Sequence, residues 1–369
     1  MMSYLRLLLF VLFSSFFFSG CGDQESEAPI ILPTNLTVQV EINPDASGKV
    51  TVTATADKAN YYVIYFGESS TETGLKTNDG KATYTYTSSG SFTVRAQAHV
   101  TQSDFITSSK VIEIQLGSSP IIPSTGATSP LTYAGKTLVW QDEFNGTALN
   151  AANWKFETGT GTNGWGNNEL QYYREENTQV DNGYLIITAK KESFQGSNYT
   201  SSRIVTSGKK SFKYGRIDIR AALPEGQGIW PALWMLGSNF STAGWPQCGE
   251  IDIMEMVGGS GREKTVLGTA HWDNSGTPAS FSGNKSLSSG KLGDEFHVYS
   301  IAWTSSSIIW YLDHVQYHII DITPAGLSEF QKEFFFIFNL AVGGALPGSP
   351  DGTTVFPQQL IVDYVRVFQ

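Results

Sequence analysis

Short runs of alternating apolar and polar residues fill the first third of the chain, separated by turn residues. A period of two places successive side chains on opposite faces of a strand. Turn signals such as Asp79-Gly80 and Ser89-Gly90 lie between the runs. The runs cover residues 36–42, 50–55, 61–66, 84–86, 92–95 and 111–114. This pattern predicts a small immunoglobulin-like β-sandwich over residues 31–116.

A longer series of strand-like runs follows a segment rich in serine, proline and glycine. That segment, residues 117–133, is predicted to be a linker. All nine tryptophans lie after it, between Trp140 and Trp310. The runs cover 185–188, 215–220, 308–312, 334–340 and 361–368. Residues 134–369 are therefore predicted to form one large antiparallel β-sandwich, which makes the whole chain all-β.

The first residues have the pattern of a targeting signal. Arg6 precedes an apolar run over residues 7–18, which is short for a membrane span. The run ends in Ser19-Gly20-Cys21, which resembles a bacterial lipobox and implies cleavage after residue 20 and lipidation of Cys21. Residues 21–30 are predicted to be a tether, and their acidic residues resemble the surface-export signals of outer-membrane lipoproteins. A surface-exposed outer-membrane lipoprotein is therefore expected, with secretion as the alternative.

Net charge and cysteine content argue against a nucleic-acid partner and an intrachain disulfide. Lys and Arg total 24 against 34 Asp and Glu, a net charge of −10, which argues against a nucleic-acid partner. Only two cysteines are present. If Cys21 carries lipid, Cys248 has no partner for an intrachain disulfide and is interpreted as a small buried residue.

The strongest chemical signal is the sequence Gly-Glu-Ile-Asp-Ile-Met-Glu at residues 249–255. On a strand, Glu250 and Asp252 share one face, while Glu255 is out of phase by one residue. A β-bulge at Ile253-Met254 would bring Glu255 onto the same face. Three carboxylates together are consistent with a solvated strand face or a cation site. They are also consistent with the nucleophile and acid/base pair of a retaining glycosidase, about 5–5.5 Å apart.

This segment resembles the Glu-x-Asp-x-x-Glu signature of glycoside hydrolase family 16, and further motifs occur in family order. They lie at residues 140–144, 164–173, 228–236, 269–272 and 362–367. The motif at 164–173 is similar to the laminarinase branch. The resemblance covers residues 134–369 and implies a β-jelly-roll that hydrolyses internal β-1,3-glucosidic bonds of a laminarin-like β-glucan by double displacement. Mixed-linkage β-1,3-1,4-glucanase, agarase-like galactanase and non-catalytic glycan-binding lipoprotein remain as alternatives.

The resemblance also assigns roles. Glu250 is expected to be the nucleophile and Glu255 the general acid/base, with Asp252 hydrogen-bonded to Glu250. A second set of positions is expected to contact substrate: Asn168, Arg203, Trp230, Trp234, Trp245 and His271. Met256 departs from the family pattern, in which tyrosine is common after the second glutamate.

No cofactor is expected for catalysis. Family members often carry a structural Ca²⁺ ion, and the matching positions here are Glu143, Gly183 and Asp363, through carbonyl or carboxylate oxygens. A monomer is expected, with membrane contact only through the lipid anchor. Residues 82–99 resemble PKD-type modules, so residues 31–116 are interpreted as a spacer; glycan binding through Tyr61, Tyr62 and Tyr65 is the alternative.

Overall fold

The computed structural model describes residues 29–43, 48–69, 71–114 and 122–369. The predicted signal peptide, the lipidation site Cys21 and the first part of the linker lie outside the described residues. Within the described part of the chain, no helix has the length and apolar character needed to cross a membrane. The chain divides into two compact units, Met1–Leu116 and Gly117–Gln369.

The described residues of the first unit form seven strands in two antiparallel sheets. The three-stranded sheet has the order β1-β2-β5 and the four-stranded sheet the order β4-β3-β6-β7. Their alternating apolar side chains, such as Val50, Val52 and Ala54, are buried in one core. The bounds are β1 Thr34–Ile42, β2 Lys49–Asp57, β3 Tyr61–Tyr65, β4 Leu75–Thr77, β5 Lys81–Thr85, β6 Gly90–His99 and β7 Phe105–Ile114.

The tyrosines of β3 are engaged within this unit. Tyr62 is buried, and its hydroxyl accepts a hydrogen bond from the Ala56 backbone N–H at 2.9 Å. The Tyr61 ring stacks on His99, and the Lys76 ammonium lies 3.8 Å from its centroid. The Arg95 guanidinium likewise covers Tyr65 at 4.1 Å. Because a sugar stacks on an uncovered ring face, these contacts favour the spacer interpretation over glycan binding.

The second unit is a sandwich of two large antiparallel sheets. A seven-stranded sheet has the order β19-β18-β17-β16-β23-β14-β9. The facing eight-stranded sheet follows β11-β12-β24-β15-β20-β21-β22, with β8 paired to β24. A small parallel pair, β10-β13, lies beside them.

The strands of this unit account for the predicted runs. Their bounds are β8 Leu138–Asp142, β9 Lys155–Phe156, β10 Gln171–Tyr173, β11 Thr178–Asp181, β12 Tyr184–Ala189, β13 Tyr199–Ser201, β14 Arg203–Val205, β15 Gly215–Ala222, β16 Ile229–Gly237, β17 Glu250–Glu255, β18 Thr265–Asn274, β19 Thr277–Ser286, β20 His297–Trp303, β21 Ser307–Leu312, β22 Val315–Asp321, β23 Phe334–Val342 and β24 Gln358–Phe368. Among residues 122–369, helical structure is limited to one turn, α1 Phe240–Ala243, three 3-10 turns at Glu175–Asn177, Arg262–Lys264 and Ala325–Gln331, and a π-type turn at Gly164–Asn168.

The core lies between the two sheets and follows the strand alternation. In β23, Phe334, Phe336 and Phe338 enter this core, whereas Asn339 lies on the other face of the sheet. We call that other face of the seven-stranded sheet, turned away from the core, the open face. The all-β jelly-roll prediction is confirmed.

Residues 122–133, which we call the strap, cross the outer face of the eight-stranded sheet. The Ala127 carbonyl accepts a hydrogen bond from Arg220 Nε at 2.6 Å. The Ser129 backbone N–H donates to Tyr364 Oη at 2.7 Å, and Tyr133 donates to Asp218 at 2.6 Å. The predicted linker 117–133 therefore includes residues that pack on the second unit.

Candidate active site

The acidic strand β17 lies between β16 and β18 in the seven-stranded sheet. Its pairing with β16 joins Glu250 to Leu236, Asp252 to Trp234 and Glu255 to Ala232. Those three β16 residues are two positions apart, so they share one face, and paired residues of neighbouring strands point the same way. All three carboxylates are therefore on the open face.

One extra residue makes this arrangement possible. Between Asp252 and Glu255 the pairing shifts by one residue on both sides of β17, opposite β16 and opposite β18. Ile253 is the residue left over, and it is buried in the core with Ile251 and Met254. The predicted bulge at Ile253-Met254 is confirmed, and it turns Glu255 onto the face of Glu250.

His271 completes the acidic cluster from β18, where it pairs with Glu250. Its Nε2 lies 3.2 Å from Asp252 Oδ2 and 3.7 Å from Glu250 Oε1. Among the described residues, Glu250, Asp252 and His271 also form a group whose ligand atoms lie within 4.8 Å of one another. These three side chains have the spacing of cation ligands, and the same contacts suit a histidine that orients two carboxylates.

Burial controls the protonation of the carboxyl groups. Burial, followed by the charge of Asp252, raises the pKa of Glu250 well above 4.5. Burial, followed by the charge of Glu255, raises the pKa of Asp252 well above 3.8. Burial also raises the pKa of Glu255, although the Trp230 hydrogen bond opposes the rise. Three adjacent anions are costly in such a site, so the raised pKa values favour protonated forms within the cluster.

Two of the predicted tryptophans contact polar groups on the open face. Trp230 Nε1 donates to Glu255 Oε1 at 3.0 Å, so this ring anchors the acid at the bulge. Trp234 Nε1 donates to Asn339 Oδ1 at 2.7 Å. Both rings are half-buried. The prediction that these two residues share one face of their strand is confirmed.

Arg203 is held between two indoles. Its guanidinium lies 4.7 Å from the Trp165 ring and 5.0 Å from the Trp234 ring. Its Nε donates to Glu157 Oε2 at 2.6 Å. A guanidinium fixed in this way presents its remaining N–H groups in one plane, as recognition of sugar hydroxyls requires.

The Trp165 turn and Asn339 were not among the predicted site residues. Trp165 has φ 56° in a turn where Asn163 and Asn168 also adopt left-handed backbone. The Gly- and Asn-rich sequence at 163–168 was a usable signal for that turn. Asn339 could have been found because it is a polar residue within the otherwise apolar run of β23.

The other predicted contacts are more peripheral. Asn168 is exposed in the same left-handed turn as Trp165. Trp245 is 46% exposed, and its ring centroid lies 6.3 Å from that of His271. Gln247, nearby in the same loop, donates to Asp273 at 3.1 Å. Trp245 is thus an uncovered aromatic side chain beside the carboxylate cluster.

The carboxylates at two of the predicted calcium positions, Glu143 and Asp363, form ion pairs with arginines. Arg366 binds both Glu143 oxygens at 2.7 and 2.8 Å, and Arg220 binds Asp363 Oδ2 at 2.5 Å. These guanidinium groups neutralise the two carboxylates, so the side chains fit poorly as principal calcium ligands. Backbone carbonyl oxygens, including that of Gly183, remain as ligands, and the calcium site stays a prediction.

Two family models match the chain. Glycosyl hydrolases family 16 matches residues 166–339. Beta-glucan synthesis-associated protein SKN1/KRE6/Sbg1 matches residues 77–250. The first match contains the whole of β17 and the β16, β18 and β23 positions described above.

Known relatives and solved structures match 63% of the chain. The clotting factor G alpha subunit of Tachypleus tridentatus is 44% identical over 63% of this chain, which spans 34% of that protein. The beta-glucanase of Rhodothermus marinus is 42% identical over 63% of this chain, which spans 85% of that protein. The crystal structure of the laminarinase catalytic domain from Thermotoga maritima MSB8 has a TM-score of 0.59 at 45% identity, covering 63% of this chain and 98% of that one.

Proposed function

Because the chain belongs to glycosyl hydrolases family 16, we propose that its second unit is a retaining endo-β-1,3-glucanase. The observation that carries the proposal is the bulge at Ile253, since it gathers Glu250, Asp252 and Glu255 on the open face. The likeness to a laminarinase and a beta-glucanase supports a β-1,3-glucan as substrate over a galactan.

Glu250 and Glu255 carry out the two displacements. The Glu250 carboxylate attacks the anomeric carbon, the glycosidic C–O bond breaks, and Glu255 donates its proton to the departing sugar oxygen. Glu255 then takes a proton from a water molecule whose oxygen attacks the anomeric carbon and releases Glu250. The anomeric configuration is retained because it inverts twice.

Neighbouring groups set the protonation of this pair. We assign to Asp252 a hydrogen bond to Glu250 that orients the nucleophile, and this contact is among the causes of the raised pKa of Glu250. The charge of Glu255 raises the pKa of both Glu250 and Asp252, as expected when the three carboxyl groups lie close together. Esterification of Glu250 removes its charge from the site, so the pKa of Glu255 falls as it changes from acid to base.

The open face next to the carboxylates supplies the substrate contacts. We assign sugar binding to Trp230, Trp234 and Arg203 on the floor, with Asn168 and Trp245 at the margins and His271 beside the reacting bond. Aromatic rings match the apolar faces of glucosyl units, and the Arg203 guanidinium matches their hydroxyl edges.

The remaining proposals concern the whole chain. We propose a monomeric outer-membrane lipoprotein, anchored through Cys21 and exposed at the cell surface, in which the PKD-like first unit is a spacer. The lipobox-like sequence and the covered tyrosine rings of β3 support these assignments. A Ca²⁺ ion bound by backbone oxygens at Glu143, Gly183 and Asp363 would stabilise the fold and take no part in catalysis.

Product analysis tests the proposed function. The protein is incubated with laminarin, lichenan and agarose, and the products are sized. We expect short oligosaccharides from laminarin in preference to the other two, and Glu250→Ser should lower that rate about 10⁴-fold or more. Glu225→Ser, at an exposed ion pair with Lys291, is the matched control and should retain full activity.

Two results would contradict the proposal. Preference for agarose would defeat the substrate assignment. Substantial hydrolysis by Glu250→Ser would show that another group is the nucleophile.

A further inference from the structure

The bulge in β17 disturbs the backbone hydrogen bonding of the strand that carries the acids. A bulge leaves one residue unpaired and locally disrupts the ladder, and here both neighbouring strands change register at this place. The Asp252 backbone carbonyl lies at the start of the irregular segment. Asp252 is buried, so bulk water does not solvate this carbonyl and it needs hydrogen-bond donors from the protein.

A tryptophan from the opposite sheet hydrogen-bonds to this carbonyl. Trp310, on β21 of the eight-stranded sheet, donates its indole N–H to Asp252 O at 2.8 Å across the core. Its side chain is completely buried. The bond therefore joins the two layers of the sandwich at the bulge.

The neighbours of Trp310 are shaped to admit its ring. A Cβ atom at Gly268 of β18 would lie 2.5 Å from Trp310 Cδ1. Gly268 is not among the residues with positive φ, so its backbone does not require glycine. His318 packs against the indole with ring centroids 4.8 Å apart. The missing side chain at Gly268 thus lets Trp310 reach the carbonyl.

We propose that Trp310 is a positioning residue for the reaction, because its N–H fixes the bulge that turns Glu255 toward Glu250. This inference rests on the proposed function. Without the indole donor, the buried Asp252 carbonyl loses this hydrogen bond, and we expect the backbone between Asp252 and Glu255 to shift. Trp310 touches no substrate and acts only through the strand.

Trp310→Phe tests the inference, since it keeps a buried ring and removes the N–H. Trp303→Phe is the matched control: Trp303 is also buried in the core, but its indole donates to the Phe330 carbonyl at 3.1 Å and not to a carbonyl of β17. Both variants should lose similar thermal stability. Only Trp310→Phe should lose kcat on laminarin, by about 10- to 100-fold, with KM changed by less than about twofold.

The dependence on leaving group separates positioning from general loosening. A displaced Glu255 donates its proton poorly, so Trp310→Phe should lose less rate on an activated aryl β-glucoside oligomer than on laminarin. Gly268→Ala provides a second variant, in which the indole is retained but the added methyl group displaces it from the Asp252 carbonyl. This variant should show the same selective loss of kcat.

The outcomes are distinct from those for the proposed function. If the wild-type protein cleaves laminarin and Trp310→Phe retains kcat equal to that of Trp303→Phe, the inference is wrong and the proposed function stands. If Trp310→Phe does not fold, a Gly268→Ala variant with wild-type kcat overturns the inference. A wild-type protein inactive on every glucan would defeat the proposed function itself.

Discussion

Ile253 is the residue on which the chemistry of the site depends. If β17 accommodated Ile253 without a bulge, strict alternation would send Glu255 into the core beside Ile251 and Ile253. With the bulge, Glu255 reaches the Trp230 N–H on the open face. The cost of this arrangement is a buried acidic cluster, and that cost is measurable as pH-dependent stability.

Glu250→Gln should stabilise the protein at neutral pH while abolishing activity. The folded-state pKa of Glu250 lies above 4.5 because of burial and Asp252, so the folded protein binds its proton more tightly than the unfolded chain. Stability is therefore fully present below about pH 4.5 and falls as pH rises through the raised pKa. The melting temperature of the variant should exceed that of the wild type at pH 7–8, by about 2–4 °C per kcal/mol, and the difference should vanish near pH 4.

Glu263→Gln is the control, because the pKa of Glu263 is shifted in the opposite direction from that of Glu250. The pKa of Glu263 is lowered although burial opposes the shift, because its carboxylate accepts backbone N–H bonds, including that of Gly259 at 2.7 Å. Its contribution to stability is present at neutral pH and is lost as pH falls through the lowered pKa, so its replacement should destabilise the protein at pH 7. Equal melting temperatures for Glu250→Gln and wild type across the pH range would contradict the assigned shift.

At the scale of elements, each layer of the second unit has a separate task. The seven-stranded sheet carries the reacting groups on its open face, and the eight-stranded sheet backs it through the core. The strap in turn covers polar groups on the outer face of the eight-stranded sheet. Among these, Asp218 is completely buried and accepts hydrogen bonds from Arg216 and Tyr133 at 2.6 Å each.

Tyr133→Phe should destabilise the second unit without changing catalysis. It removes one donor from the buried Asp218 carboxylate, which costs about 1–3 kcal/mol of unfolding free energy. That loss corresponds to a fall of roughly 2–12 °C in melting temperature, measured by thermal unfolding. Tyr184→Phe, near the strap and with its ring stacked on Phe296, is the control and should change the melting temperature less. A large loss of kcat in Tyr133→Phe would show that the strap influences the site.

At the scale of the whole molecule, the proposed catalytic site and the proposed lipid anchor belong to different parts of the chain. Every residue assigned to the site lies in the unit Gly117–Gln369, whereas the lipobox-like sequence lies before the first strand. A substitution at the lipidation site is therefore expected to leave catalysis unchanged, and a substitution in the catalytic site is expected to leave membrane attachment unchanged.

Cys21→Ala should release the protein from membranes. Expressed at full length in a Gram-negative host, the wild type should be recovered with the membrane fraction and the variant in the soluble fraction, with unchanged kcat on laminarin. Cys248→Ala is the matched control, since Cys248 is the other cysteine of the chain and is buried in the second unit. A Cys21→Ala protein that still sediments with membranes would rule out the lipid anchor.

The sequence by itself determined the all-β class, the two units and the identity of the acidic strand. Strand alternation and turn residues are local properties, and the Glu250, Asp252 and Glu255 spacing predicted the bulge because a period of two leaves no other way to align three carboxylates. Trp230 and Trp234 were placed on one face for the same reason.

Only the tertiary structure decided which groups from other strands support that face. The Trp310 bond to the Asp252 carbonyl joins residues 58 positions apart, and the bond from Trp234 to Asn339 joins residues 105 apart. The arginines that neutralise Glu143 and Asp363 likewise come from distant strands. Such contacts depend on which strands the fold makes neighbours and on how the layers stack, and the alternation within any single strand does not encode them.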